Sequence, residues 1–464
     1  MDRTPAGGNP RYVVGICLIA ALGGLLFGYD TAVINGAIGF LETHFELTPA
    51  LKGWASSSAL LGCVIGVSFA GAFSDWLGRK KTLVLAGVLF LVSSIGTAVP
   101  QTLTQLVVFR ILAGVGVGVA SMASPMYIAE VAPAHWRGRM VSVNQFAIVS
   151  GMLLIYFVNY AIARAGSPEW QVTTSWRWMF ASGILPSALF LGLLLLAPES
   201  PRWLIAQGRR DAAARILERV GGPDFARTEA QAVGEALAQE SGSLAQLFRP
   251  GWRRVLALGV ALAVLQQVTG INVFLYFGAE IFKQFGERVD AALLQQVVVG
   301  AANLLFTLVA IWTVDRWGRK PLMLIGATGM GLGLVAMGVG AQTGQVAGWM
   351  LICILGYIAC FALSVGPVTW VLLSEIFPTS IRGRAMSLAT LSLWSANFVV
   401  SQTFPMMDQH AGLVARFNHA FPFYVYAGFC VVLVGVVWRW VPETKGRSLE
   451  EIERSWLQSG KPRA

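Results

Sequence analysis

The chain has 464 residues, of which 55% are hydrophobic and only 12% are charged. A mean hydropathy of +0.63, spread along the whole length, excludes a soluble globular protein and indicates a polytopic α-helical membrane protein. The net charge of +10 does not point to nucleic acid, because the basic residues cluster in short loops between apolar runs, as membrane topology signals do.

Twelve apolar runs, long enough to cross a bilayer as helices, follow one another in two groups of six. The first group lies near residues 12–39, 53–74, 82–99, 105–131, 140–163 and 175–197, and the second near 253–282, 293–314, 321–341, 346–373, 385–407 and 420–441. We therefore predict an N-terminal six-helix bundle (1–198), a helical cytoplasmic linker (199–250), a C-terminal six-helix bundle (251–441) and a cytoplasmic tail (442–464).

Lys and Arg are concentrated in alternate loops. They lie at Arg79-Lys80-Lys81, at Arg137 and Arg139, along the linker, at Arg316, Arg319 and Lys320, at Arg382 and Arg384, and at Lys445 and Arg447. The positive-inside rule makes these loops cytoplasmic and predicts that both termini are cytoplasmic too.

Cysteines give no sign of a metal site or a disulfide framework. Cys17, Cys63, Cys353, Cys360 and Cys430 all lie in apolar runs, without the spacing of metal ligands. The spans also lack a nucleophile–base pair and a phosphate-binding loop, so we expect neither an enzyme nor a cofactor.

Three motifs of the first half return in the second half, in the same order and at a nearly constant offset. Asp75 to Lys80 returns as Asp315 to Lys320, Glu130 with Arg137 returns as Glu375 with Arg382, and Pro198-Glu199 returns as Pro442-Glu443. The halves are therefore predicted to be parallel repeats of six helices, with a binding site between them near the bilayer midplane.

The repeated motifs place acids and guanidinium groups at cytoplasmic helix ends. We predict a cytoplasmic gate in which the two sets pair across the gap between the halves when that side is closed, since Arg binds carboxylates in a forked geometry. The residues are Asp75, Arg79, Glu130, Arg137, Glu199, Asp315, Arg319, Glu375 and Arg382. The alternative is that they only set topology and cap helices.

The apolar run from Val255 to Phe282 carries Gln266, Gln267, Asn272 and Tyr276. Unpaired amides in hydrocarbon cost several kcal/mol, so these side chains should face protein or water. A break at Thr269-Gly270 would bring them together. They form either a polar binding surface for a hydroxyl-rich solute or hydrogen bonds between helices.

Together, several motifs resemble those of the sugar porter family of the major facilitator superfamily. They are the loop repeats, Pro198-Glu199-Ser200-Pro201-Arg202, Gln266-Gln267 with Gly270-Ile271-Asn272, Gly366-Pro367-Val368-Thr369-Trp370, and Pro442-Glu443-Thr444-Lys445-Gly446. The chain is most similar to bacterial D-xylose:proton symporters and more distantly to animal glucose facilitators. The resemblance implies two pseudo-symmetric six-helix bundles, alternating access to a monosaccharide site, and a monomer in the bacterial inner membrane, whose partners are the sugar, a proton and the lipid bilayer.

Carried over by resemblance, the sugar-binding positions are Phe27, Gln145, Gln266, Gln267, Asn272, Tyr276, Asn303, Trp370 and Trp394. Carboxamides both donate to and accept from sugar hydroxyls, and an indole covers the apolar face of a pyranose. Each Trp has the alternative of interfacial or core packing. Leu393 and Met152 stand where xylose-type relatives carry carboxamides, so we expect a more apolar pocket, and the preferred aldose stays open.

Asp30 and Arg110 lie within the first and fourth spans. Ionisable residues in spans are candidates for function, and a carboxylate that loses and regains an Arg partner can couple protonation to conformation. The alternative is a static ion pair. Family symporters carry an acid at the Asp30 position, and Gly183 replaces a second carboxylate of some relatives, so the proton should depend on Asp30 alone.

These observations predict a proton-coupled symporter of a D-xylose-type or D-glucose-type aldose that works by alternating access. Passive uniport is the first alternative, and Asp30 argues against it. Proton-driven antiport is less favoured, because an antiporter of this fold would have an apolar, aromatic cavity. Sugar sensing without transport is also less favoured, because sensors of this type have a long cytoplasmic tail.

Overall fold

The computed structural model describes residues 8–239, 250–344, 349–377 and 382–445, and within these ranges the chain forms helices and no strand. The N-terminal half contains α1 (Pro10–Phe45), α2 (Pro49–Leu77), α3 (Arg79–Ala98), α4 (Leu103–Val131), α5 (Ala134–Ala163), α6 (Pro168–Trp170), α7 (Trp176–Ala181) and α8 (Ile184–Leu194). The linker forms α9 (Pro201–Ala206), α10 (Arg210–Gly221) and α11 (Pro223–Gln239). The second half contains α12 (Pro250–Val268), α13 (Ile271–Gln284), α14 (Val289–Trp317), α15 (Arg319–Thr343), α16 (Trp349–Cys360), α17 (Gly366–Ile376), α18 (Arg382–Asp408), α19 (Ala411–Phe417) and α20 (Phe421–Trp440).

Eleven helical segments in the described ranges are long and apolar enough to cross a bilayer. They correspond to eleven of the twelve predicted spans. The remaining one, the predicted eleventh span, is α18, which is long enough at 27 residues but carries polar side chains such as Asn397, Ser401 and Asp408 on its buried side. The linker is helical as predicted, and residues 240–249 of it, like the tail from 446 onward, lie outside the described residues.

Two compact units divide the described residues. Unit 1 contains the described residues of Met1–Thr31, Gly62–Leu154 and Arg177–Ser241. Unit 2 contains the described residues of Ala32–Leu61, Ile155–Trp176 and Gly242–Ala464. The units do not follow the predicted boundaries of the halves. Segments 32–61 and 155–176, which we assigned to the N-terminal bundle, pack with the C-terminal helices in unit 2, where hydrogen bonds and an ion pair join them.

Two spans are broken next to functional motifs. Between α12 and α13, Gly270 adopts the left-handed region with φ +93°, so the predicted break at Thr269-Gly270 is confirmed. Between α16 and α17, residues Phe361–Val365 form a π-helical turn that ends at Gly366 and Pro367. Irregular backbone inside spans exposes polar groups, and it is tolerated where protein or a wet cavity surrounds it.

Replacing Gly270 with Ala tests how tightly this break is held. An added Cβ at Gly270 would lie 2.6 Å from the Tyr426 ring, in a backbone conformation that also costs a residue with a Cβ about 1 kcal/mol or more. We expect Gly270→Ala to lower the melting temperature of the purified protein. Gly286→Ala is the control, since Gly286 has φ +92° but nothing within 4 Å of an added Cβ. Equal losses in the two variants would contradict a packing constraint at Gly270.

Candidate functional site

The break at Gly270 gathers the three carboxamides of the seventh span into one hydrogen-bonded chain. Gln267 Nε2 donates to Gln266 Oε1 over 3.2 Å, and Asn272 Nδ2 donates to Gln267 Oε1. Gln266 Nε2 also donates to the carbonyl oxygens of Val365 and Gly366, at 3.2 and 2.9 Å. All three amides are at least nine-tenths buried. The two broken spans are therefore joined to each other through Gln266.

Tyr276 lies one turn after Asn272 and belongs to the same polar region. Its hydroxyl accepts a 3.4 Å hydrogen bond from Asn397 Nδ2 on α18, and Asn397 Oδ1 accepts from Ser401. Trp394 is buried on α18, one turn before Asn397. Trp394, the residue of the eleventh span that we predicted to bind sugar, thus lies on the face of α18 that contacts α13.

The other residues predicted to bind sugar lie on four further helices. Asn303 is buried on α14, whereas Trp370 is 36% exposed on α17, three residues after Pro367. Phe27 is half-buried on α1 and Gln145 is exposed on α5, and both belong to unit 1. Leu393, where the resemblance implies a carboxamide in xylose-type relatives, is buried on α18.

In unit 1 the predicted ion pair is present. Arg110 Nη1 lies 3.9 Å from Asp30 Oδ2 and donates to the Asp30 carbonyl oxygen over 3.3 Å, while its guanidinium lies 5.7 Å from the centre of the Phe180 ring. Arg110 is 1% exposed. Asp30 Oδ2 is buried and accepts no hydrogen bond from the described residues. Protonation at this oxygen therefore breaks no hydrogen bond, and the charge attraction to Arg110 acts at the outer limit of an ion pair.

A side chain at Gly183 would meet the side chain of Ser94. An added Cβ there would lie 2.7 Å from Ser94 Oγ. The preceding residue, Ser182, forms a 2.7 Å hydrogen bond with the Tyr29 hydroxyl, so the start of α8 is held against α1 next to Asp30. These contacts fit an arrangement with Asp30 as the carboxyl group available to a proton.

At the start of α3 in unit 1, Arg79 is surrounded by acceptors. Its Nε and Nη2 donate to the Glu130 carboxylate at 3.0–3.2 Å, and its Nη1 donates to Asp75 at 3.1 Å. Ser200 Oγ donates to the same Glu130 carboxylate. Glu199 accepts a 2.9 Å bond from the backbone N–H of Lys80, in the first turn of α3.

Unit 2 repeats most of this arrangement at the corresponding residues. Arg319 Nη2 and Nε donate to Glu375 at 2.8 and 3.2 Å, and Thr444 Oγ1 donates to Glu375. Glu443 accepts from the backbone N–H groups of Arg319 and Lys320, at 3.1 and 3.0 Å. The sequence repeat is therefore a structural repeat.

The bonds described for the two sets of motifs lie within the halves. Each guanidinium binds a carboxylate of its own half, because Glu130 and Glu375 lie one span further along the chain than Arg79 and Arg319, within the same unit. Arg137 lies 3.9 Å from Glu229 of the linker, and Arg382 Nε donates to the carbonyl oxygen of Phe377. The side chain of Asp315 lies outside the described residues. Pairing across the gap stays a prediction for a state closed on the cytoplasmic side.

Sequence reasoning missed several buried polar residues that contact α13. Asn397 contacts Tyr276, while Asn35 and Tyr156 both donate to the carbonyl oxygen of Leu275. A polar residue inside an apolar run was the available signal, but many such residues pack without a role. In the described part of the chain, no group of three or more His, Cys, Asp or Glu could hold a metal ion.

Comparison with known proteins places this geometry in context. The family model for the sugar (and other) transporters matches residues 16–456. The D-xylose-proton symporter of Escherichia coli K12 is 45% identical, over 97% of this chain and 96% of its own length. The arabinose-proton symporter of Bacillus subtilis 168 is 42% identical over 96% of each chain. The glucose facilitated diffusion protein of Zymomonas mobilis is 41% identical over 96% of this chain and 97% of its own.

Solved structures agree with these relatives. The inward-open conformation of the Escherichia coli xylose transporter superposes with a TM-score of 0.85 at 43% identity, covering 96% of this chain and 100% of that one. The proton:xylose symporter of the major facilitator superfamily bound to 6-bromo-6-deoxy-D-glucose gives 0.82 at 45% identity, covering 97% and 100%.

The carboxylates of the repeated motifs predict that the melting temperature depends on pH. Partial burial raises the pKa of Glu443, but the backbone N–H groups of Lys445, Arg319, Lys320 and Thr444 outweigh it and hold the pKa below its ordinary value of 4.5. The ionised carboxylate therefore stabilises the fold above about pH 4.5, and this contribution is lost as the pH falls through the lowered pKa. We expect Glu443→Gln to melt below wild type at pH 7, and the difference to shrink below pH 4.5. The exposed Glu287→Gln is the control, and a difference that is constant with pH would contradict the assignment.

Proposed function

The chain belongs to the sugar transporter family of the major facilitator superfamily, and from this premise we propose that it is a proton-coupled aldose symporter that works by alternating access. Membership confirms the predicted resemblance and the fold of twelve helices in two bundles, and the relatives named above are transporters and not enzymes. The observation that carries the proposal is the chain of three buried carboxamides at the broken seventh span.

The carboxamides suit a ligand with several hydroxyl groups. A carboxamide has two N–H donors and an oxygen with two lone pairs, so the bonds among Gln266, Gln267 and Asn272 leave capacity for further partners. An aldose would exchange some amide–amide bonds for amide–hydroxyl bonds with little loss of hydrogen bonding. Tyr276 and Trp394 supply ring surface beside the amides for the apolar face of the sugar.

Proton coupling is assigned to Asp30 and Arg110. With Asp30 ionised, the pair attracts α1 and α4 to each other, and with Asp30 neutral this attraction is lost at no cost in hydrogen bonds at Oδ2. A change of proton occupancy therefore alters the energy of one helix packing relative to another, which is what coupling requires. Arabinose and xylose relatives are named as proton symporters, whereas the Zymomonas mobilis relative is named for facilitated diffusion.

The remaining parts of the proposal concern the membrane, the oligomeric state and the partners of the protein. We place the protein in the bacterial inner membrane as a monomer, with both termini cytoplasmic, since the basic loops all lie on one side of the predicted topology. The sugar and the proton are its partners besides lipid. Leu393 and Met152 favour an aldose that presents more apolar surface than xylose does.

Replacing Asp30 separates symport from uniport. In proteoliposomes given D-xylose, D-glucose, D-galactose or L-arabinose, we expect downhill sugar entry to draw protons in with it. Asp30→Asn should abolish this proton uptake while sugar exchange between the two sides continues, because a permanently neutral residue resembles the protonated state. Asp290→Asn, an exposed acid of the same type, should behave as wild type. Sugar entry without a proton signal in wild type would identify a uniporter instead.

Replacing Gln267 tests the carboxamide site. Gln267→Leu keeps the volume but removes both the donors and the acceptor, so a sugar hydroxyl loses a partner worth about 1–2 kcal/mol. The half-saturation concentration for sugar uptake should rise about tenfold. Gln231→Leu, on the linker helix α11, makes the same change at an exposed position and should have no effect. An unchanged half-saturation concentration in Gln267→Leu would remove this residue from the site.

A further inference from the structure

We propose that Asn35, Tyr156 and Lys52 form a clamp that holds α13 in position on the non-cytoplasmic side, and that sugar entry from that side requires the clamp to release. The clamp deepens the proposed function, because α13 carries Asn272 and Tyr276. All of its members lie in unit 2, where segments 32–61 and 155–176 of the N-terminal half pack with the C-terminal helices.

The first point of attachment is the carbonyl oxygen of Leu275. Asn35 Nδ2 on α1 donates to it over 3.0 Å, and the hydroxyl of Tyr156 on α5 donates over 2.8 Å. Both side chains are at least 98% buried. Leu275 lies between Asn272 and Tyr276, so two helices of the N-terminal half bind the backbone of α13 in the middle of the proposed sugar site. Separating them would leave two buried donors without this acceptor.

The second point of attachment is the carboxylate of Glu280, near the end of α13. Lys52 on α2 is only 4% exposed. Its Nζ lies 2.5 Å from Glu42 on α1 and 3.2 Å from Glu280 on α13, and Glu280 also lies 2.7 Å from Lys283. A buried ammonium group needs its carboxylates, because removing one partner leaves an uncompensated charge. Lys52 therefore binds three helices together.

Glycines allow the helices to approach closely at these points. An added Cβ at Gly39 on α1 would lie 2.2 Å from Glu280 Oε1, and one at Gly53 on α2 would lie 2.4 Å from the carbonyl oxygen of Gln402 on α18. Gln402 in turn bonds the Ser57 hydroxyl at 2.8 Å and the Ala50 carbonyl oxygen at 3.0 Å. The contact, called the seam below, is thus closely packed, and its bonds lie on α13 and on α18.

A transporter with alternating access must separate this seam once in each cycle. The clamp bonds exist only while the non-cytoplasmic side is closed, so they act on the equilibrium between closed and open states rather than on stability in general. Loss of a hydrogen bond to a buried group shifts such an equilibrium by about tenfold. The three clamp residues are positioning residues, since none is proposed to touch the sugar.

Hydrogen–deuterium exchange of the purified full-length protein tests the clamp without any sugar. We expect the backbone amides of α13 to exchange several-fold faster in Tyr156→Phe and in the double variant Lys52→Met/Glu280→Gln. The double variant removes both charges, so it avoids leaving one buried alone. Exchange in α3, which belongs to unit 1, should stay at the wild-type rate, whereas a general loss of stability would accelerate α3 as well.

Two further variants complete the test. Tyr160→Phe removes a hydroxyl one turn further along α5, where it accepts from Arg164, and should leave α13 exchange unchanged. Asp290→Asn removes an exposed carboxylate at the start of α14 and should also leave α13 exchange at the wild-type rate. The clamp is overturned if α13 exchange is unchanged in Tyr156→Phe and in the double variant, or if α3 accelerates equally.

Uptake of D-xylose and D-glucose into proteoliposomes then links the clamp to entry. A larger open fraction should lower the half-saturation concentration for external sugar in Tyr156→Phe, since apparent affinity scales with the fraction of binding-competent molecules. A higher or unchanged value would overturn the role in entry. If wild type transports neither of these sugars nor any other aldose, the proposed function fails, while the exchange result still decides whether the clamp exists.

Discussion

A polar group inside a membrane must find its hydrogen bonds within the protein, and this constraint organises the whole molecule. At Gly270 the backbone of the seventh span leaves the helix, and the side chains on either side turn toward one another and toward the irregular turn before Gly366. The same constraint applies to Asp30, where the guanidinium of Arg110 supplies a positive charge near the carboxylate without a hydrogen bond to Oδ2. Asp30 Oδ2, which accepts no hydrogen bond from the described residues, lies where a proton is proposed to bind.

The repeated motifs of the two halves follow from helix-end chemistry. The first N–H groups of a helix have no partner within it, and a carboxylate also interacts favourably with the positive end of the helix dipole. Glu199 and Glu443 satisfy both requirements at the starts of α3 and α15, each after a glycine with positive φ, Gly78 and Gly318. The alternative considered from sequence, that these motifs cap helices, describes the acids of the Pro-Glu pairs well, while Glu130 and Glu375 hold their arginines.

How far the sequence could predict the structure depends on the range of the interaction. Hydropathy and Lys/Arg patterning act over one span, so spans and linker helices were predictable, and φ > 0 at Gly270 was predictable because only glycine reaches it freely. The hydrogen-bond partners that a side chain finds on another helix were not predictable. Asn397 with Tyr276, or Asn35 with Leu275, depends on which helices are neighbours and how they are rotated, and periodicity does not contain that information. The same reason accounts for segments 32–61 and 155–176, which pack with the opposite half.

The carbonyl group of Leu275 accepts two side-chain donors, and this has a spectroscopic consequence. Each donor weakens the C=O bond and lowers its stretching frequency, so this single peptide group should absorb apart from ordinary helical amides. An isotopic label on that one carbon would turn the backbone of α13 into a vibrational reporter, shifting upward whenever Asn35 and Tyr156 withdraw. The motion of one helix could then be followed in a native bilayer without attaching any probe larger than an extra neutron.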